Sequence, residues 1–225
     1  MLERSVIEKG ENNMKIIDLT HVMESGMPVF PGTKEAIIND AFTLEENGFN
    51  EKLLNILTHT GTHLDCPKHM LDSNRTTDTV AVDHFYGSAW VFDCRASIKS
   101  GLITPDMIDE KQLSQVDFAL IYTGWDKLWG KEEYFRGFPT FSETTVERLI
   151  KNEIKAVGLD FISADRHDST EFTNHKKLLN NNCLIVENLT GLEILLNRPF
   201  TFSCFPLKIK AGDGSPVRAV GIFNP

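Results

Sequence analysis

The chain has 225 residues, of which 41% are hydrophobic, and its 23 basic and 32 acidic side chains give a formal net charge of −9. This length suffices for one α/β core and does not require two domains, so we expect a polar extension over residues 1–14 and a single domain over 15–225. The acidic balance and the lack of a Lys/Arg cluster argue against nucleic acid and anionic membranes as partners.

The cysteines and the N-terminal residues indicate the cellular setting. Four cysteines, at positions 66, 94, 183 and 204, form no Cys-x-x-Cys pair and no dense disulfide framework. No apolar run approaches the ~18 residues of a membrane-spanning helix. Residues 1–13 are polar and charged, unlike a signal peptide. Together these features predict a reduced, cytoplasmic setting.

Runs rich in β-branched and aromatic residues predict strands along the whole chain. In chain order they cover residues 15–20, 53–58, 88–94, 116–122, 155–160, 183–188, 199–207 and 217–223. Val146, Leu149 and Ile150 outline one amphipathic helix between them, and residues 170–180 predict another. This alternation predicts an α/β domain built on a mixed sheet.

One segment concentrates groups that bind metals and move protons. Three of the seven histidines fall within residues 59–69, which read His-Thr-Gly-Thr-His-Leu-Asp-Cys-Pro-Lys-His. Imidazole nitrogens and carboxylate oxygens are common ligands of Zn, Mn and Fe, so His59, His63 and Asp65 offer three ligands within seven residues. An isolated histidine is usually a surface or core residue, but such clustering predicts a metal or catalytic site.

The spacing of these histidines requires a bend in the backbone. Two histidines four apart could share a helix face, but the Thr-Gly-Thr between them is a poor helix former and the Glu of the His-Glu-x-x-His metalloproteases is missing. In a strand, His59 and His63 would lie roughly 13 Å apart, too far to share one ion with ~2 Å bonds. We therefore expect a strand over residues 53–58, a bend at Gly61 and a tight ligand loop.

This run resembles the His-x-Gly-Thr-His-x-Asp-x-Pro-x-His signature of the cyclase family of metal-dependent hydrolases, which includes bacterial kynurenine formamidase and isatin hydrolase. The likeness covers about residues 15–223, and the histidine run is its most specific part. The resemblance implies the family's swivelling β/β/α architecture. Further segments that carry it are Asp18-Leu19-Thr20-His21, Met27-Pro28-Val29-Phe30-Pro31-Gly32, Thr123-Gly124-Trp125, Gly158-Leu159-Asp160 with Ser163 and Asp165, Val186-Glu187-Asn188-Leu189, Pro206-Leu207-Lys208-Ile209 and Asp213-Gly214-Ser215-Pro216-Val217-Arg218-Ala219.

The resemblance also implies a set of metal ligands. By position, His59, His63 and Asp65 would bind a first metal ion. In the binuclear formamidases a later histidine and glutamate complete a second site, and His175 and Glu187 match those two positions. Some relatives of the isatin hydrolase type work with one metal, so one or two ions of Zn or Mn per subunit stay open. No other cofactor is expected.

His69 matches the family's catalytic histidine, and the alternative is that it only orients a metal ligand. A divalent ion lowers the pKa of bound water from ~15.7 toward ~7 and can polarise a carbonyl, so hydrolysis is the expected reaction. On this hypothesis His69 takes a proton from the attacking water and returns it to the leaving nitrogen. Cys66 is predicted to be a small packing residue rather than a nucleophile.

Arylformamidase is the best-defined activity of the family, so hydrolysis of N-formyl-L-kynurenine in tryptophan catabolism is the leading hypothesis. The alternatives are hydrolysis of another cyclic amide, imide or lactone, and a non-catalytic protein that binds a metal or small ligand. The aromatic side chains between Tyr122 and Phe141 could line a substrate pocket or pack a core. The resemblance also implies a homodimer or homotetramer.

Overall fold

A computed structural model of the chain describes residues 14–224, so the predicted extension lies outside the described residues except for Met14. The strands, numbered in chain order, are β1 (Lys15–Asp18), β2 (Ile37–Phe42), β3 (Glu51–Asn55), β4 (His63–Asp65), β5 (Tyr86–Asp93), β6 (Leu102–Ile103), β7 (Phe118–Tyr122), β8 (Thr140–Phe141), β9 (Ala156–Leu159), β10 (Leu184–Glu187), β11 (Phe200–Ser203), β12 (Gly214–Pro216) and β13 (Val220–Phe223). The α-helices are α1 (Leu44–Asn47), α2 (Ser97–Ser100), α3 (Glu110–Leu113), α4 (Glu143–Lys151) and α5 (Thr173–Asn180). None of the helices in this part of the chain is long and apolar enough to cross a membrane.

A nine-stranded mixed sheet organises the molecule, in the order β1-β13-β11-β5-β7-β9-β10-β4-β12. The central strands β5, β7, β9 and β10 run parallel, and the outer pairs are antiparallel. Every residue of β7, β9 and β10 is buried, as expected for parallel strands that are covered on both faces. Alternate residues of β7 belong to two core clusters: Leu120 to one and Ile121 to the other.

Both predicted helices are present. In α4 the hydroxyl of Ser142 caps the first turn by accepting from Thr145 N, and Val146 and Leu149 face the core. The second begins at Thr173, three residues later than the pattern predicted, and buries His175 on its inner face. Both helix predictions are therefore confirmed, except for the start of the second helix.

The prediction for residues 53–65 was wrong in its details. β3 ends at Asn55 and pairs only with β2, in an exposed hairpin apart from the main sheet. His63 and Asp65 lie not in a loop but on β4, a buried strand between β10 and β12. A three-residue strand with one apolar residue is too short for the alternation signal to register. β12 was missed for the same reason. The strand predicted over 199–207 is shorter than expected, because β11 ends at Ser203.

Candidate active site

The pairing of β4 with β10 places two candidate ligands side by side. In this antiparallel register His63 lies opposite Glu187, so their side chains share one face of the sheet. His63 Nε2 is 3.5 Å from Glu187 Oε2 and 3.3 Å from Asp65 Oδ1. All three side chains are buried. The sheet itself therefore fixes this half of the site.

Gly61 forms the predicted bend, which brings His59 back to the Asp65 carboxylate. Its φ of +67° lies in the left-handed region, and an added Cβ would come within 2.8 Å of the side chain of Met27. His59 Nδ1 consequently lies 2.6 Å from Asp65 Oδ1. Burial lowers the pKa of His59, but the carboxylates of Asp65 and Asp213 outweigh it and raise this pKa to about 9.

The second histidine–carboxylate pair comes from α5. His175 Nε2 lies 3.2 Å from Glu187 Oε1 and 3.6 Å from Asp65 Oδ2, while its Nδ1 donates to Asp165 Oδ2 at 2.7 Å. Asp165 also accepts the backbone N–H groups of Asn174 and His175, so one carboxylate starts the helix and orients its histidine. Burial lowers the pKa of His175, but Asp165, Glu187 and Asp65 together raise it to about 10.

His69 lies on a 3-10 turn, Pro67–His69, at the edge of this cluster. Its ring centroid is 3.8 Å from that of His59, and its Nδ1 is 3.9 Å from Asp213 Oδ2. Burial lowers the pKa of His69 to about 4; the attraction of Asp65 opposes this, and the neighbouring imidazoles add to it. The ring of His69 is therefore uncharged at pH 7 in the metal-free protein.

The six predicted site residues converge, and their chemistry fits a metal. Candidate ligand atoms lie within 4.8 Å of one another in two sets, His59 with Asp65 and His69, and His63 with Asp65 and Glu187. Asp65 Oδ2 is buried and accepts no hydrogen bond from residues 14–224, which is costly for a carboxylate unless a cation neutralises it. Imidazole and carboxylate donors suit Zn or Mn. The division of ligands between ions and the role of His69 stay predictions.

Three polar residues of the site lie in sequence segments that resemble the cyclase family, but no role was predicted for them. Asp213, just before β12, accepts from His59 Nε2 at 3.0 Å. Asp165 holds His175, and Asn188 follows Glu187 directly. Their only sequence signal is a position beside a ligand or beside a strand end. Cys66, by contrast, is confirmed as a packing residue, because its buried thiol belongs to the core and burial raises its pKa to about 12.

A cavity of about 340 Å³ opens onto these residues. Its lining combines imidazoles and carboxylates with apolar side chains, and no Lys or Arg of the described chain contributes to it. Uncharged polar residues complete the lining: Thr33, Thr58, Thr60, Ser163 and Asn188. None of the aromatic residues between Tyr122 and Phe141 lines this cavity. Of the two alternatives for them, the substrate pocket is therefore wrong for this cavity, and packing of the core holds. The apolar wall consists of Pro28, Val29, Phe30, Leu57, Met70, Ile162 and Phe172.

Known proteins are similar to this chain in sequence and in fold. The Cyclase family model, described as "Putative cyclase", matches residues 17–166. A kynurenine formamidase of Salinibacter ruber is 31% identical, over 92% of this chain and 97% of its own length. The uncharacterized protein MJ0783 of Methanocaldococcus jannaschii is 33% identical, over 93% of this chain and 100% of its own. A crystal structure of an isatin hydrolase bound to the product analogue thioisatinate matches with a TM-score of 0.85 at 24% identity, covering 94% of this chain and 93% of that one, which confirms the predicted mixed-sheet α/β fold.

Proposed function

This chain belongs to the cyclase family of metal-dependent hydrolases, and on that premise we propose that it cleaves a carbon–nitrogen amide bond with metal-activated water. The observation that carries the proposal is the buried Asp65 carboxylate, shared by two candidate ligand sets and unsatisfied at Oδ2 within the described chain. The leading reaction is that of an arylformamidase, N-formyl-L-kynurenine and water giving L-kynurenine and formate. The kynurenine formamidase relative supports this choice.

The residues divide the work of such a reaction. His59, His63, Asp65, His175 and Glu187 would hold one or two Zn or Mn ions. A bound divalent ion supplies Lewis acidity and lowers the pKa of water toward ~7. His69 stands at the edge of the ligand cluster, with its ring centroid 3.8 Å from that of His59, so it would take a proton from the attacking water and pass it to the leaving nitrogen.

The apolar wall of the cavity would bind the aryl part of the substrate. Aromatic rings are stabilised in such pockets by burial of their apolar surface. Phe30 and Phe172 provide aromatic contacts there, and Met70 and Ile162 provide aliphatic ones.

A second candidate is hydrolysis of a neutral cyclic amide, imide or lactone. The free α-carboxylate of N-formylkynurenine would normally be recognised by Arg or Lys, and neither lines the cavity. An uncharged ring such as isatin needs no such partner. An isatin hydrolase of Roseibium aggregatum is 28% identical, over 73% of this chain and 71% of its own length, and this similarity supports keeping the second candidate.

Turnover measurements distinguish these candidates. The purified protein, stripped with a chelator and reloaded separately with Zn and Mn, should be offered N-formylkynurenine and isatin in parallel, with release of kynurenine or isatinate followed by absorbance. Metal-dependent hydrolysis of the first supports an arylformamidase, and hydrolysis of isatin alone supports the second candidate. Bound metal without turnover on a broader panel of amides and lactones would favour a non-catalytic binding protein.

We further propose that the chain forms a homodimer or homotetramer in the cytoplasm. The β2–β3 hairpin supports assembly with copies of the same chain, because it exposes several large apolar side chains that water solvates poorly: Ile37, Phe42, Leu44, Phe49, Leu53 and Leu54. Sedimentation velocity would measure the assembly directly. A monomer at micromolar concentration would contradict this proposal.

A further inference from the structure

Asn188 connects the candidate ligand strand β10 to the Gly61 bend. Its side-chain Nδ2 donates to Gly61 O at 2.8 Å, and its backbone carbonyl accepts from Thr62 Oγ1 at 2.6 Å. The hydroxyl of Tyr134 donates to Asn188 Oδ1 at 2.8 Å. Both Asn188 and Tyr134 are buried, so these bonds are shielded from competing water.

The same carbonyl of Gly61 determines the tautomer of the His63 ring. His63 Nδ1 lies 2.8 Å from Gly61 O. Because a carbonyl oxygen only accepts, Nδ1 must carry a proton, so Nε2, which faces Asp65 and Glu187, is the nitrogen whose lone pair a metal would take. The position of the Gly61 carbonyl therefore decides which nitrogen of His63 is available to a metal.

The backbone at Asn188 is specialised for this contact. Its φ of 58° lies in the left-handed region, which Asn tolerates better than most residues. This turn directs the side chain of Asn188 back toward Gly61, immediately after Glu187 on β10. Tyr134 is held in turn by its backbone carbonyl, which accepts from Trp125 Nε1 at 3.0 Å.

We infer that Asn188 is a positioning residue that, oriented by Tyr134, anchors the Gly61 carbonyl and so holds the His63 ring and tautomer ready for metal binding. The inference rests on the metal site of the proposed function, and it holds for any substrate. Hydrogen-bond partners of metal-binding histidines are commonly worth 10–100-fold in metal affinity, so loss of Asn188 should weaken Zn²⁺ binding by about tenfold.

The test uses Asn188→Gly, which keeps the left-handed turn without strain and removes only the side chain. Tyr134→Phe removes the hydroxyl and keeps the ring. Asn197→Gly is the matched control, since Asn197 is exposed and also has a φ of 58°. Zn²⁺ dissociation constants are measured by competition with a chromophoric chelator, alongside the Co²⁺ absorption spectrum and the melting temperature of the metal-free protein.

Asn188→Gly should weaken Zn²⁺ binding about tenfold and shift the Co²⁺ spectrum, and Tyr134→Phe should do the same to a smaller extent. In the double variant Tyr134→Phe should add nothing, because its hydroxyl acts through Asn188. Wild-type Zn²⁺ affinity in a folded Asn188→Gly protein, or additive effects in the double variant, would overturn the inference. If Asn188→Gly fails to fold, Tyr134→Phe with unchanged affinity overturns it instead. Absence of turnover with altered affinity would count against the proposed substrate only.

Discussion

His175 Nε2 lies 3.6 Å from Asp65 Oδ2, the buried carboxylate oxygen that accepts no hydrogen bond in the described part of the chain. Without a metal, protonated imidazoles neutralise the carboxylates of this site. Burial alone would raise the pKa of Asp65, but His59 and His63 outweigh it and hold this pKa well below its usual range. A bound cation would replace those protons. The metal-free and metal-loaded proteins should therefore respond differently to pH.

Stability of the metal-free protein should fall as the pH rises. The pKa values of His59 and His175 are raised from 6.5 to about 9 and about 10. Their contribution to stability is fully present below pH 6.5 and is lost as the pH rises through the folded-state values. Urea midpoints of chelator-treated protein should decrease between pH 6.5 and alkaline pH, whereas stoichiometric metal should remove most of the decrease. Parallel curves with and without metal would contradict this expectation.

His69→Ala should abolish turnover while metal binding persists. Loss of a general acid–base group typically costs about 10²–10⁴ in kcat. The variant is compared with His84→Ala, because His84 contacts Lys155 O and does not line the cavity. Metal content by atomic absorption decides the result: a variant that loses its metal makes His69 a ligand, as one of the two observed ligand sets allows.

Asp165→Asn should weaken both the metal site and the start of α5. The carboxylate of Asp165 orients His175 Nδ1, so metal affinity should drop by about tenfold. Its bonds to the helix N-terminus should cost a further ~1 kcal/mol of unfolding free energy. Asp168→Asn, an exposed partner of Arg166, provides the control. Calorimetric titration with Zn²⁺ and thermal melting measure the two effects separately, and an unchanged affinity would reject the orienting role.

Gly61→Ala should disturb the ligand cluster through the backbone. At a φ of +67° an L-residue costs about 1–2 kcal/mol, and the new Cβ would also crowd Met27. Gly48→Ala is the matched control, since its φ is +79° and an added Cβ there meets no atom within 4 Å. Both variants should lose stability, but only Gly61→Ala should also lose metal affinity. Equal metal binding by the two variants would show that the bend is not needed to place His59.

The sequence revealed the central residues of the site because they are close together in the chain. His59, His63 and Asp65 lie within seven residues, where spacing alone demands a bend, and glycine is the residue that permits one. Long apolar runs such as β7 were also predicted correctly, because strands buried on both faces are continuously hydrophobic. Short strands gave no such signal, so β4 was mistaken for a loop.

Only the tertiary structure decided which distant residues complete the site. His175 and Glu187 were paired by resemblance, and nothing local to either residue indicates that β10 lies against β4. Asp213, Asp165 and Asn188 are ordinary polar residues in sequence, and their roles arise from contacts across 10 to 154 positions. Local chemistry and hydrophobic periodicity depend on residues that are neighbours in the sequence. Strand register and the hydrogen bonds that orient each imidazole depend instead on how the whole sheet packs.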